Sequence, residues 1–452
     1  MAQYSAALEE RQVGVEGIWF LPAYVATIVA IGLLLVAGGA EEIRALVILL
    51  LLTPLTFLII GRAARTDVDG NFLYRALLLA WPVKLAAMGF KLYLLFHVLG
   101  SGDAFQYHDA GIRISGILAS GRLPDLSQFT STEFVELFTG VFYFATGPTF
   151  VGAWIFWSWL ATLGMLAHYK AFVTALPTGA RRLFALLILF SPTMLMWPNS
   201  LGKDALVAFT LGIAAYSVAV LSRRGLGIGS LLWLGVGFGA TFLVRPHIAA
   251  IASVGLTAAV LLRPIRAGAL TPIVRLATFA AVITLAIVVI RISASYLSVE
   301  LTVEGVTGFF ETQQEESEQG GSAFEGTGGF PSTPSAIAVA IVTVLFRPFP
   351  WEGGSLLGVA LGLEGLALMA LLLYRWRSVL GAIWEGRRHA YLAFATIYSM
   401  IFVIAFSAIS NFGILSRQRA QLLPFIFVLL AYQGWRGRVA PAEARVEPWE
   451  RR

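Results

Sequence analysis

The chain has 452 residues, of which 58% are hydrophobic and 13% charged, with a formal net charge of +6. A soluble domain carries roughly 25% charged residues, so this composition excludes a soluble globular enzyme, a disordered chain and a nucleic-acid binder with a basic groove. Cysteine is absent, which excludes disulfides, thiolate nucleophiles and Cys-ligated metal.

A helix that crosses a bilayer needs about 20 mostly apolar residues. Windows that meet or approach this run over 17–38, 44–61, 72–98, 149–168, 183–196, 204–222, 228–244, 247–262, 276–291, 354–375, 390–410 and 420–435. The expectation is an all-α polytopic membrane protein with about twelve transmembrane helices in one integral-membrane domain, 1–452. The first apolar run is too long for a signal peptide and reads as an uncleaved span. Residues 335–346 are apolar but short, and Arg347-Pro348-Phe349-Pro350 follows them, so they read as a re-entrant or partly buried helix. The stretch 134–147 is treated in the same way.

Basic residues set the orientation. Arg62 and Arg65; Lys170, Arg181 and Arg182; Arg223 and Arg224; Arg263, Arg266 and Arg275; and Arg377, Arg387 and Arg388 fall in alternate loops. The tail 436–452 adds more arginine. The positive-inside rule puts these loops, the tail and both termini in the cytoplasm. The pI near 9.6 then follows from topology. The opposite side has two long loops, 99–148 and 292–334, the second acidic and Gly/Ser-rich in its middle and so partly mobile. There is no phosphate-binding G-x-x-x-x-G-K-[ST] loop and no dinucleotide fingerprint. A substrate must therefore arrive from the membrane or the outer side.

Charged residues on that outer side are few and clustered. The first cluster, SGDAFQYHDAG, runs from Ser101 to Gly111. A helix starting near Asp103 puts Asp103 and Tyr107 on one face, four residues apart. Such a carboxylate can serve as general base toward a hydroxyl, while Asp109 with His108 are candidates to hold a divalent metal, Mg or Mn. The plainer alternative is that Asp103 caps an interfacial helix. The second cluster holds Lys203-Asp204. Lys203 opposes the positive-inside rule, so it either binds a lipid phosphate or pairs with Asp204. Arg245-Pro246-His247 forms a tight turn between two spans. Arg347, Trp351 and Glu352 follow the short apolar segment, with Trp351 suited to an interfacial anchor. Arg417 and Arg419 precede the last span, where two guanidiniums suit bidentate binding of phosphate. Deeper in the spans, Lys84 and Glu364 read as a buried pair or an ion path.

One side of the membrane thus offers an acid, Asp103, and up to five cations: Lys203, Arg245, Arg347, Arg417 and Arg419. Cations can neutralise the charge that develops on a phosphate leaving group, and the acid can deprotonate an acceptor hydroxyl. The layout resembles the GT-C class of integral-membrane glycosyltransferases, with SGDAFQYHDAG in the place of the acidic outer-loop motif. The segments PTMLMWPNSLGKDA, LFRPFPWE and SRQRAQLLP also resemble bacterial envelope-polysaccharide proteins of the mannosyltransferase-like and O-antigen-polymerase-like groups. The chain departs from the common GT-C pattern in that Asp103 follows the third predicted span, its outer-loop motif has no paired D-D or D-x-D because Asp103 and Asp109 are six apart, and there is no large soluble C-terminal domain.

The resemblance implies an inverting transfer of sugar from a polyprenyl-phosphate carrier to a glycan or lipid-linked acceptor, at the outer face of a bacterial cytoplasmic membrane. Asp103 would be the base, with Tyr107, His108, Lys203, Arg245, Arg347, Arg417 and Arg419 binding substrate and Asp109 any metal. Membrane lipid, and no nucleic acid, would be the surrounding partner. The alternatives are a repeat-unit polymerase using a lipid-pyrophosphate-linked oligosaccharide, a lipid-linked-oligosaccharide flippase or transporter, and a non-enzymatic scaffold.

Overall fold

A computed structural model describes residues 39–125, 130–224, 227–262, 271–318, 322–325 and 329–434. The window 17–38 and the tail 436–452 lie outside them, as do Arg263 and Arg266. The described residues contain no strand beyond one isolated bridge. In chain order the helices are α1 (Ala40–Arg65), α2 (Gly70–Leu94, continued by a π turn, Leu95–Leu99), α3 (Asp103–Ala119), α4 (Thr132–Thr146), α5 (Phe150–Ala175), α6 (Arg181–Phe190), α7 (Pro192–Met196), α8 (Lys203–Arg224) and α9 (Ile228–Val244). They continue with α10 (Pro246–Leu261), α11 (Thr271–Tyr296), α12 (Val303–Ser317), α13 (Pro334–Phe346), α14 (Leu356–Tyr374), α15 (Trp376–Glu385), α16 (Ala390–Ala405) and α17 (Phe412–Ala431). Side-chain caps start several of them: Thr149 accepts from Gly152 N–H, Ser355 from Gly358 N–H, and Asn411 from Gly413 and Ile414 N–H.

Six helices among the described residues are long and apolar enough to cross a membrane: α1, α2 with its π turn, α5, α8, α14 and α17. Helices α15 and α16 pass the same test only when taken together, bent by 113° between them, so the count is six, or seven if that pair is one span. This is the architecture of a polytopic membrane protein. Of the remaining windows in the expected count of about twelve, 17–38 lies outside the described residues, 228–244 and 247–262 form the shorter helices α9 and α10, and 183–196 is broken into α6 and α7.

The bundle has two chemically different ends. At one, Lys170 donates to Ala63 O at 2.8 Å and pairs with Asp67, which also receives Arg181. Ala180 N–H reaches Ala431 O, Arg375 reaches Leu430 O, and His389 lies 3.2 Å from Ala175 O. The ends of α1, α5, α14 and α17 therefore meet where the basic residues are. At the other end Thr149 donates to Glu41 O, Arg44 to Pro148 O, and Lys203 to Ser131 and Thr132. The loop 99–148 belongs here, folded as the helical pair α3–α4.

Two helix ends lie inside the bundle, and each is met by a charge of the right sign. The first helix end is at Ser191-Pro192, where α6 breaks into α7. Glu364 accepts from Thr193 N–H at 2.9 and 3.0 Å and from its hydroxyl at 2.6 Å. A carboxylate at a helix N-terminus satisfies N–H groups that no water can reach. The second is the C-terminus of α13, where buried Arg419 donates to Val344 O at 2.9 Å and to Arg347 O. Glu364 is thus a cap and not half of a Lys84–Glu364 pair. Lys84 instead lies 3.6 Å from Met165 Sδ, and Asn199 donates to its carbonyl.

After α13 the chain retraces α14. Phe346 O packs at Gly365, Pro350 at Gly362 and Gly353 at Gly358, so close that a Cβ on Gly365 would sit 2.1 Å from that oxygen. Small residues likewise let α5 and α8 touch through their backbones. A Cβ on Gly164 would fall 2.2 Å from Ala208 O, and one on Gly212 2.5 Å from Gly164 O. Gly164→Leu should therefore destabilise the bundle by about 3 kcal/mol through overpacking, read as a lower unfolding midpoint in detergent. Gly89→Ala, whose Cβ meets open space, should leave the midpoint unchanged or raise it slightly.

Candidate functional site

At the end opposite the basic loops, four charged side chains from distant parts of the sequence form one chain of alternating sign. Asp204, at the start of α8, accepts from Arg245 Nη2 through Oδ1 at 2.6 Å and from Arg417 Nε through Oδ2 at 2.6 Å. Arg417 Nη1 and Nη2 both reach Asp103 Oδ2 at 3.2 Å. Asp204 and Arg245 are 5% exposed, Arg417 32% and Asp103 54%, so the chain runs from the protein interior to the surface. Arg245 Nη1 also donates to Gln418 Oε1, which accepts from Gln421 as well.

Each member is held by local structure. Gly102 precedes α3 and puts Asp103 in its first turn. Arg245 occupies the extended link between α9 and α10, where Pro246 starts the next helix. Thr241 holds α9 to α8 through its bond to Thr210, 2.9 Å. Arg417 faces α3 and α8 from the second turn of α17.

Further groups ring this chain. Lys203 Nζ donates to Ser131 and Thr132 at 2.8 Å each and lies within electrostatic reach of Asp103, Asp204, Arg245 and Arg417. Lys91 donates to Met196 O and Ser200 Oγ beneath Trp197 and feels Asp204 and Arg417. Tyr107 lies on the Asp103 face of α3. Burial, reinforced by Asp103, pushes its phenol above the ordinary range, so it stays a neutral donor. Lys203, Arg245 and Arg417 against Asp103 and Asp204 leave one net positive charge, and Lys91 adds another. Such a site attracts an anion.

An apolar cavity of about 300 Å³ lies between α9, α10 and α11, lined by Phe238, Phe242, Ala249, Leu256, Val289 and Ile292 among others. Phe242 and Ala249 are within a helical turn of Arg245, and Ser293 of α11 donates to Pro246 O at 2.9 Å. The cavity therefore opens along the helices that carry Arg245.

The remaining sequence candidates lie elsewhere. Arg347 pairs with Glu352 at 2.7 Å and stacks over Phe324 at 4.2 Å, tying the turn after α13 to the N-terminus of α17. Arg419 caps α13, as described. His108 Nδ1 meets Tyr143 Oη at 2.6 Å, and burial lowers its pKa from the ordinary histidine value. Asp109 is exposed, and no group of three or more His, Asp or Glu side chains suited to a metal occurs among the described residues. Asp204 was missed as a hub because it reads as the partner of Lys203. Residues i and i+1 of a helix do not face each other, and that rule points Asp204 away from Lys203.

Asp204→Asn leaves buried Arg245 without its carboxylate, and half-buried Arg417 without one of its two, and should destabilise the protein by about 3 kcal/mol, visible as a lower unfolding midpoint. Asp103→Asn removes a half-exposed partner and should change stability by less than about 1 kcal/mol. Equal effects would contradict Asp204 as the anchor.

No protein family, curated protein or solved structure matches this chain.

Proposed function

We propose that the chain is a membrane glycosyltransferase that uses a polyprenyl-phosphate-linked sugar at the end of the bundle holding Asp103. The observation that supports this reading is the Arg245–Asp204–Arg417–Asp103 chain with Lys203 at one end of an apolar helical bundle, with an apolar cavity lined by the two helices that flank Arg245. A lipid-borne sugar phosphate needs those three things together: cations for phosphate, an apolar surface for its tail, and a carboxylate near water.

The resting ion pair gives the mechanism its order. Arg417 holds Asp103 through Nη1 and Nη2, so at rest the carboxylate is occupied by the guanidinium. A donor phosphate competes for the Arg417 guanidinium and, as it binds, releases Asp103. Asp103 then takes the proton of the acceptor hydroxyl, and the acceptor oxygen attacks the anomeric carbon from the face opposite the leaving group. The anomeric C–O bond breaks, and its electron pair goes to the phosphate oxygen, stabilised by Arg417 and Lys203. The configuration inverts. Asp204 and Arg245 are positioning residues, fixing the direction in which Arg417 points.

On this reading the basic end of the bundle faces the cytoplasm of a bacterium. On the same reading α6–α7, α9, α10, α11 and α16 also cross, each short or broken helix completed by its neighbours. The transporter alternative loses support because Glu364 and Lys84 have separate structural partners.

In membranes supplied with polyprenyl-phosphate sugar and acceptor, Asp103→Asn should lower the rate of polyprenyl-phosphate release by about 1,000-fold or more. Donor binding should stay within a few-fold of wild type. Wild-type turnover in the variant would remove Asp103 from the reaction.

A further inference from the structure

The opposite end of the molecule carries a second surface that the proposed reaction does not use. Helix α15 runs between α14 and α16 and folds back on α16 at 113°. Val379 and Ala382 pack toward the end of α17, where Gly381 lies against the Tyr432 ring. The opposite face presents Trp376, Leu380, Ile383 and Trp384, all exposed, at the i, i+4, i+7 and i+8 spacing of one helical stripe. That stripe continues the exposed apolar surface of α14 through Leu373 and Tyr374.

Three arginines border the stripe. Arg377 lies over the Trp376 ring at 5.4 Å and Arg387 over Trp384 at 3.1 Å, with Arg388 adjacent. All three are exposed, and none forms an ion pair with a described residue. An exposed guanidinium over an indole combines an apolar body with a charge, the pairing suited to the depth where lipid headgroups begin.

We propose that α15 lies in the plane of the membrane at the basic end and binds anionic phospholipid headgroups through Arg377, Arg387 and Arg388. Its tryptophan stripe inserts among the acyl chains of the same leaflet. Continuity with the lipid-facing surface of α14 supplies the membrane, and the three unpaired positive charges select anionic over zwitterionic headgroups.

The chain has no cysteine, so a spin label on Ile383→Cys reports from one place. In vesicles of phosphatidylcholine with phosphatidylglycerol, the label should be accessible to oxygen and shielded from a water-soluble nickel complex. A label fully open to the nickel complex would overturn the insertion. Phosphatidylglycerol bound to the protein, counted by native mass spectrometry from mixed vesicles, should fall in the triple variant Arg377→Gln, Arg387→Gln, Arg388→Gln, with each arginine worth roughly five-fold in affinity. The three are surface residues, so the variant folds. Retention equal to wild type would overturn the headgroup site.

Discussion

The buried carboxylate of Asp204, held between Arg245 and Arg417, organises the end of the bundle where the candidate site lies. It joins α8, the α9–α10 link and α17, and through Arg417 it reaches α3. An isolated charge at 5% exposure is costly, and two guanidiniums at 2.6 Å offset that cost only while all three groups stay in place. The arrangement therefore fixes the direction of Arg417. That arginine keeps one edge toward the interior and the other toward Asp103 and water. A charge clamped from behind and open in front is suited to exchange its outer partner for another anion.

A second constraint shapes the rest of the fold. Backbone groups inside a membrane have no water to bond, so helices that stop within it need other partners. Glu364 at the start of α7 and Arg419 at the end of α13 supply them. Glu364 looks like a functional charge when only its position within a span is known, and Arg419 when only its place before the last span is. Their partners are backbone N–H and C=O groups, and this accounts for their burial. Gly358, Gly362 and Gly365 then give the returning chain a surface to lie on.

The sequence carried the apolar helices and the concentration of basic residues at one end. Apolar windows and arginine placement are averages over many residues, so they survive small errors in register. It did not separate residues close together on one helix. Arg417 and Arg419 are two positions apart, about 200° around α17, and so face opposite sides. One meets Asp204 and Asp103, and the other meets α13. Asp103 and Tyr107 share a face of α3, whereas His108 turns toward Tyr143. The Asp204 hub depends on contacts between residues more than 200 positions apart, for which a single sequence has no local sign.

The central claim is that this end of the molecule holds a lipid-borne phosphate through Arg417. Native mass spectrometry of the protein released from mild detergent, with wild type beside Arg417→Ala, tests it most directly. The wild type should carry a bound polyprenyl phosphate that is largely lost from the variant. Ordinary phospholipid alone, bound equally to both, would contradict it.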